Sequence, residues 1–246
     1  MNRHIGDAFL EGTKYRNLEP SDQQQGVARP PLHSILRDGR RITLPSPQAL
    51  DLGGMGLRES IETRRSFRNY AKDPLAFEEL SFLLWCSQGV KPESTDNNTL
   101  RTVPSAGARH AFETLLLINR VDDLEPGLYQ YDAAAHELIQ WESLADIADQ
   151  LTLACLNQPI VGNSAVTFIW VAERYRMAWR YGERGFRYLF LDAGHVCQNL
   201  YLAAESISAG ACAIGAFTDD QVNQLLGLDG IDRFVVYLAS VGKRES

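Results

Sequence analysis

Long basic runs are missing from this 246-residue sequence: no uninterrupted stretch of Lys/Arg exceeds a pair, and the net charge is −7. That balance excludes the electrostatic footprint of a protein that binds nucleic acid or an anionic membrane. No stretch approaches the roughly 18 consecutive apolar residues of a membrane span. The opening MNRHIGDAFLEGTKYRN lacks the apolar segment of a signal peptide, so a cytoplasmic location is expected. Cysteine is sparse and without CxxC spacing. Three of the four (Cys86, Cys155, Cys197, Cys212) sit in apolar runs, where reduced, buried thiols are expected.

The usual signature motifs are missing as well. There is no GxGxxG behind a strand, no GxxxxGK[ST], no GxSxG and no HExxH. His195 and Cys197 are two residues apart on a helical stretch and point to different sides. No metal site is expected there, but a packed, hydrogen-bonded His195. No Asp/Glu pair is placed by local spacing as an acid–base couple. The chemistry that remains must come from arginines, backbone amides and a bound cofactor.

What is present is an ordinary globular balance, 45% hydrophobic and 22% charged. Residues 1–56 are polar and rich in Pro and Gly, reading as an arm laid over a surface, with the organised domain at 57–246. LRESIETR predicts a short helix, and LAFEELSFLLWCSQ a second one ended by Gly89 at the C′ position. ETLLLIN, GLYQYD and ELIQW predict strands, the last two joined by AAAH as a hairpin. LADIADQLTLACL predicts a helix and AVTFIWVAE a strand. Residues 188–207 are apolar on nearly every face, which demands burial on all sides, inside a domain or across a subunit interface. Thr218 with Gln221 forms a capping-box pattern opening a helix that Gly227 stops. FVVYLASVG is the last strand. Strands and helices without steady βαβ alternation indicate an α+β fold.

Three segments carry chemistry. Arg64-Arg65-Ser66-Phe67-Arg68 stands at a helix end; alone it reads as a solvated face, yet forked guanidinium donors match phosphate oxygens. Pro104-Ser105-Ala106-Gly107 is a small-residue loop over which a flat ligand can approach the backbone. Ile214-Gly215-Ala216 leaves main-chain N–H groups uncovered. Each of the latter two, taken singly, is also an ordinary loop or turn.

Their order, with RRSFRNY (64–70), ELSFLLWCSQGV (79–90), PSAGARH (104–110), PGLYQYD (126–132), WRYGERGFRY (179–188), DAGHVCQNLYLAAES (192–206), ACAIGAF (211–217) and YLASVGK (237–243), resembles the FMN-dependent nitroreductase superfamily, and more narrowly its SagB-type dehydrogenases. The resemblance implies a mostly antiparallel sheet flanked by helices in an interlocked homodimer, with FMN in the interface. It implies that Arg64 and Arg68 hold the FMN phosphate, and that Arg65 and Ser66 reach the phosphoribityl and C2=O side. Pro104, Ser105, Ala106 and Gly107 then line the ring from the partner subunit. An N–H of Gly215 or Ala216, beside Ile214, points at flavin N5, and Lys243 supplies a further phosphate contact. NADPH or NADH is the implied donor, a small nitro- or quinone-type molecule the acceptor, and Tyr181 a proton donor or a packed aromatic.

Two departures from the family pattern stand out. Azoline-oxidising members carry Lys-Tyr where this chain has Arg180-Tyr181, and an always-protonated arginine is a poor general base. Ala111 and Ile207-Ser208-Ala209-Gly210 replace the family's Pro and LGLG. Two rival expectations are a flavin dehydrogenase acting on a peptide or natural product, and a flavin-binding partner subunit without turnover.

Overall fold

FETLLLI and VTFIWVAE carry apolar side chains on both sides of the strand, a pattern that needs both faces of the sheet covered. The computed structural model describes residues 4–93, 99–142 and 146–245 and meets that need. In chain order its elements are α1 (Ile5–Gly12), β1 (Arg40–Thr43), α2 (Leu57–Thr63), α3 (Phe77–Gln88), β2 (Phe112–Ile118), β3 (Gly127–Asp132), β4 (Glu137–Gln140), α4 (Ile147–Ala154), α5 (Ile160–Asn163), β5 (Val166–Glu173), α6 (Arg174–Tyr181), α7 (Gly185–Ser206), β6 (Ala209–Ile214), α8 (Asp219–Leu226) and β7 (Arg233–Lys243). The sheet runs β1-β4-β3-β2-β5-β7-β6, and each described pairing is antiparallel. An α+β architecture is therefore observed.

Alternation divides β2 between two cores. Phe112, Leu116 and Ile118 pack with Phe168, Trp170, Leu84 and Leu200 on the face covered by α3 and α7. Leu115 and Leu117 pack with Ile169, Val171, Leu151 and Val222 on the face covered by α4, α5 and α8. Leu115, Leu116 and Leu117 are all fully buried, and each contributes about 2 kcal/mol by leaving water. The AAAH hairpin between β3 and β4 is formed as the sequence indicates. Residues 34–36 are pinned to the sheet: the Ser34 N–H donates to Glu113 and the Leu36 N–H to Gln130, 2.8 Å each.

Four expectations are corrected. Gly89 ends α3 in extended geometry (φ −56), not left-handed. A side chain there would strike Trp85, whose Cδ1 would lie 2.4 Å from a Cβ, so close packing is what calls for glycine. Thr218 does open α8, but its side chain makes no cap hydrogen bond; the helix start instead rests on a Thr218 N–H bond to the Ala154 carbonyl. Half of a capping box does form at α3, where Glu79 accepts from the Ala76 N–H at 2.8 Å. α7 starts at Gly185, and within one chain it is not buried all round. Leu189, Ala193, Val196 and Leu200 are in the core, while Phe190, Leu191, His195 and Gln198 are exposed. His195 is thus a surface residue, because it falls on the stripe that faces away from the sheet. The predicted helix at 144–156 begins partly outside the described residues.

All four cysteines are free, and three are buried. Burial pushes Cys155 up to about 11 and Cys86 and Cys197 up to about 12. Thiols held protonated react slowly. Native protein near roughly pH 8 is expected to resist dithiodipyridine at all four positions over minutes, whereas denatured protein labels at once. Fast labelling of the native state would contradict this burial. No described helix is long and apolar enough to cross a membrane.

Candidate functional site

β6 is an edge strand, and alternate residues of such a strand direct their N–H and C=O groups outward. Each outward position finds a partner in turn. The Ala209 carbonyl accepts from Arg244 Nε (3.2 Å), and the Ala211 carbonyl from the Phe67 N–H (2.8 Å). The Ala213 N–H donates to the Tyr201 hydroxyl at 2.8 Å. That hydroxyl lies 3.0 Å from Ser66 Oγ. One phenol on α7 therefore ties the arginine segment to the strand that ends at residue 214.

Gly215 is the next outward position. It and Ala216 are exposed, and among the described residues neither N–H has a hydrogen-bond acceptor. Ile214 pairs with Leu238 and buries its side chain, which fixes where the open turn begins.

The 64–68 segment is seated by shape. Phe67 packs over Gly210, where a Cβ would lie 2.6 Å from its ring, and Tyr70 over Gly242, where the gap would be 2.9 Å. Arg64 lies over the Tyr201 ring at 5.2 Å and Arg65 over Phe67 at 5.5 Å. Among the described residues none of Arg64, Arg65 and Arg68 is ion-paired with a carboxylate. Three unneutralised guanidinium groups beside open amides suit a phosphorylated ligand with a polar ring. Lys243 is not among them: it points to the α3 side and is ion-paired with Glu79. Arg244 takes the nearer place, 5.6 Å from the Phe67 ring and paired with Glu205.

Pro104–Gly107 and Tyr181 form a second group. The Ser105 hydroxyl donates to Asp192 at 2.6 Å, and the Ala106 N–H donates to the same carboxylate at 3.2 Å. Ser105 Oγ in turn accepts from the His110 N–H at 2.9 Å. Gly107, Ala108 and His110 all have positive φ (56°, 51° and 45°), a strained run that Asp192 holds in place. Burial pushes Asp192 above the ordinary carboxyl range, opposed by its bonds from Ser105 and Ala106. Tyr181 stands edge-on to Tyr188 at 4.7 Å, and a Cβ at Gly107 would meet its hydroxyl at 2.5 Å. Asp192 and Tyr201 lie nine residues apart on α7, about 14 Å along the axis. The α7 anchors of the two groups are thus separated along the helix rather than in contact.

Sequence reasoning missed Tyr201, Arg244 and Asp192. Asp192 left a signal, a lone acid in an apolar helix that had to find donors. Tyr201 left none, since a helical tyrosine does not reveal which edge it will cap.

Residues 61–243 match the model of the nitroreductase family. The chain belongs to this family. This nitroreductase-family chain is 33% identical over 207 residues to the provisionally named nitroreductase MJ1384 of Methanocaldococcus jannaschii, spanning 84% of this chain and 98% of that protein. A crystal structure from Anabaena variabilis, described as a nitroreductase, superposes with a TM-score of 0.65 at 33% identity. It covers 77% of this chain, which in turn spans only 38% of the longer Anabaena chain. Weaker likeness links the nitroreductase-family chain to the FMN reductase (NADPH) of Bacillus subtilis, 27% identical over 150 residues, 53% of this chain and 59% of that protein. It is also 28% identical over 144 residues to the trifolitoxin-processing protein TfxB of Rhizobium leguminosarum, 57% of this chain and 39% of that protein.

Proposed function

We propose that this chain binds FMN and catalyses ping-pong reduction of a nitro- or quinone-type acceptor, with NADPH or NADH as donor. The observation that carries the reading is the Tyr201 hydroxyl, which touches both Ser66 and Ala213 and so puts unpaired guanidinium groups and open amides on one sheet margin. Bound FMN supplies the hydride chemistry. Arg64 and Arg68 hold its phosphate, and Arg65 and Ser66 lie along the phosphoribityl chain and the C2=O edge. A cation there stabilises the negative charge that reduction brings. The Gly215 or Ala216 N–H addresses N5. The 14 Å offset between the two groups favours a homodimer in which Pro104–Gly107 of a second chain closes the site, with Tyr181 giving a proton to the acceptor. The open stripe of α7 is the face such a dimer would cover. Lys243 would contact the phosphate only by leaving Glu79. The likeness to TfxB supports a place on the SagB-type branch, with residues 1–56 as an arm on the domain 57–246.

The absorption spectrum of the purified protein tests this directly, followed by anaerobic NADPH or NADH. A yellow protein bleached by either donor is expected. Arg64→Ala should weaken FMN binding by roughly tenfold or more, as loss of one charged hydrogen bond does, read by fluorescence titration. A yellow protein inert to both donors would favour a flavin dehydrogenase or a non-turning-over partner subunit. A colourless protein that gains nothing from added FMN would sink the reading.

A further inference from the structure

Two guanidinium groups converge on Gly107. Arg109 Nε donates to its carbonyl at 3.1 Å, and a Cβ at Gly107 would meet Arg180 Nε at 2.8 Å. Neither arginine is ion-paired with a carboxylate among the described residues. Arg109 is 4% exposed, and its Nη1 has no hydrogen-bond partner. Burial pushes this guanidinium below its ordinary value, and the like charges of Arg29 and Arg180 push the same way. A buried, unsatisfied cationic donor is costly unless something anionic completes it. The Tyr181 hydroxyl, another donor, abuts the same glycine.

Beside this cluster lies a cavity of about 530 Å³ between residues 15–24 and the end of α6, within the range of small-molecule sites. Arg180 and Tyr181 line it together with Tyr15, Gln23 and Gln24. Glu19 also reaches the wall but makes no ion pair with Arg180.

We propose that this cavity receives a carboxylate-bearing substrate, its carboxylate gripped by Arg180 and the Tyr181 hydroxyl while Arg109 adds charge from behind. A planar fork pairs with both oxygens of a carboxylate, and one phenol adds a further donor to either of them. As a statement of substrate class this rests on the oxidoreductase reading above, but the anion grip stands or falls without it.

Calorimetric titration of the full-length protein, as purified and after FMN addition, with sodium benzoate and its neutral isostere benzamide tests the grip. Benzoate is expected to bind at least about tenfold tighter than benzamide, and Arg180→Gln to remove most of that preference. Arg180 is exposed, so the substitution leaves the core intact. Arg180→Glu should reverse the preference towards the cation benzamidine. Equal binding of benzoate and benzamide, or unchanged benzoate affinity in Arg180→Gln, overturns the proposal. Inorganic phosphate binding as tightly as benzoate overturns the carboxylate assignment. Benzoate binding by protein that takes up no FMN upholds the grip and removes the flavin reading. Flavin-loaded protein indifferent to benzoate does the reverse.

Discussion

Replacing Glu113 by alanine is expected to lower the melting temperature by roughly 10 °C, the largest single effect foreseen outside the site. Glu113 and Arg176 form an ion pair at 2.7 Å with side chains only 6% and 2% exposed. Arg176 also donates to the His110 carbonyl (3.0 Å) and to Ser34 Oγ (3.1 Å). Arg101, buried with its Nε unpartnered, lies within electrostatic reach of both. Taking away the carboxylate leaves buried positive charge uncompensated, which costs about 3–5 kcal/mol. At about 2–4 °C per kcal/mol for a chain of this size, the shift is easily resolved by calorimetry. The same change frees Ser34, so proteolysis near residues 29–36 should quicken. Glu113→Gln keeps the shape and loses only the charge; a melting point equal to the native protein's in that variant would refute the electrostatic account.

The second large effect concerns acid. His110 is 6% exposed, and burial, followed by the nearby charge of Arg101, pushes it down to about 3. In the unfolded chain it titrates near about 6.5. Between those values the unfolded state carries a proton that the folded state refuses, so stability rises with pH across that window. It is fully present above about 6.5 and is lost as pH falls towards 3. From about pH 7 to pH 4 the loss attributable to His110 is roughly 3 kcal/mol. His110→Asn, which tolerates the positive φ of this position, should flatten the pH slope of denaturant unfolding by that amount. Parallel slopes in the two proteins would show that His110 is already charged when folded.

Much of this architecture can be read from side-chain pattern alone. FETLLLI and GLYQYD are strands because short runs rich in aliphatic and aromatic residues fit a sheet covered on both sides, and the core agrees. RRIT at β1 could not be read so. Its strand state comes from pairing with β4 and from Arg41 reaching Asp132 and Glu137 at 2.9 Å, neither of which is local in sequence. For the site, the arginine segment and the Gly-Ala turn were visible as residue types, but their proximity depends on Tyr201, nine residues beyond Asp192 on one helix. His195 misled because helical spacing fixes relative faces without saying which face meets the sheet.

The capped row along β6 has a bearing on how the molecule behaves when crowded. Phe67, Tyr201 and Arg244 each occupy an outward group along it, so a foreign strand finds an interrupted template on that margin. At the opposite margin, the exposed Arg40 in β1 repels an incoming copy, while Arg41 is neutralised by Asp132 and Glu137. A sheet of seven strands bounded in these two ways is poorly suited to fibril growth, and concentrated solutions should associate, when they do, through the exposed Phe190 and Leu191 on α7.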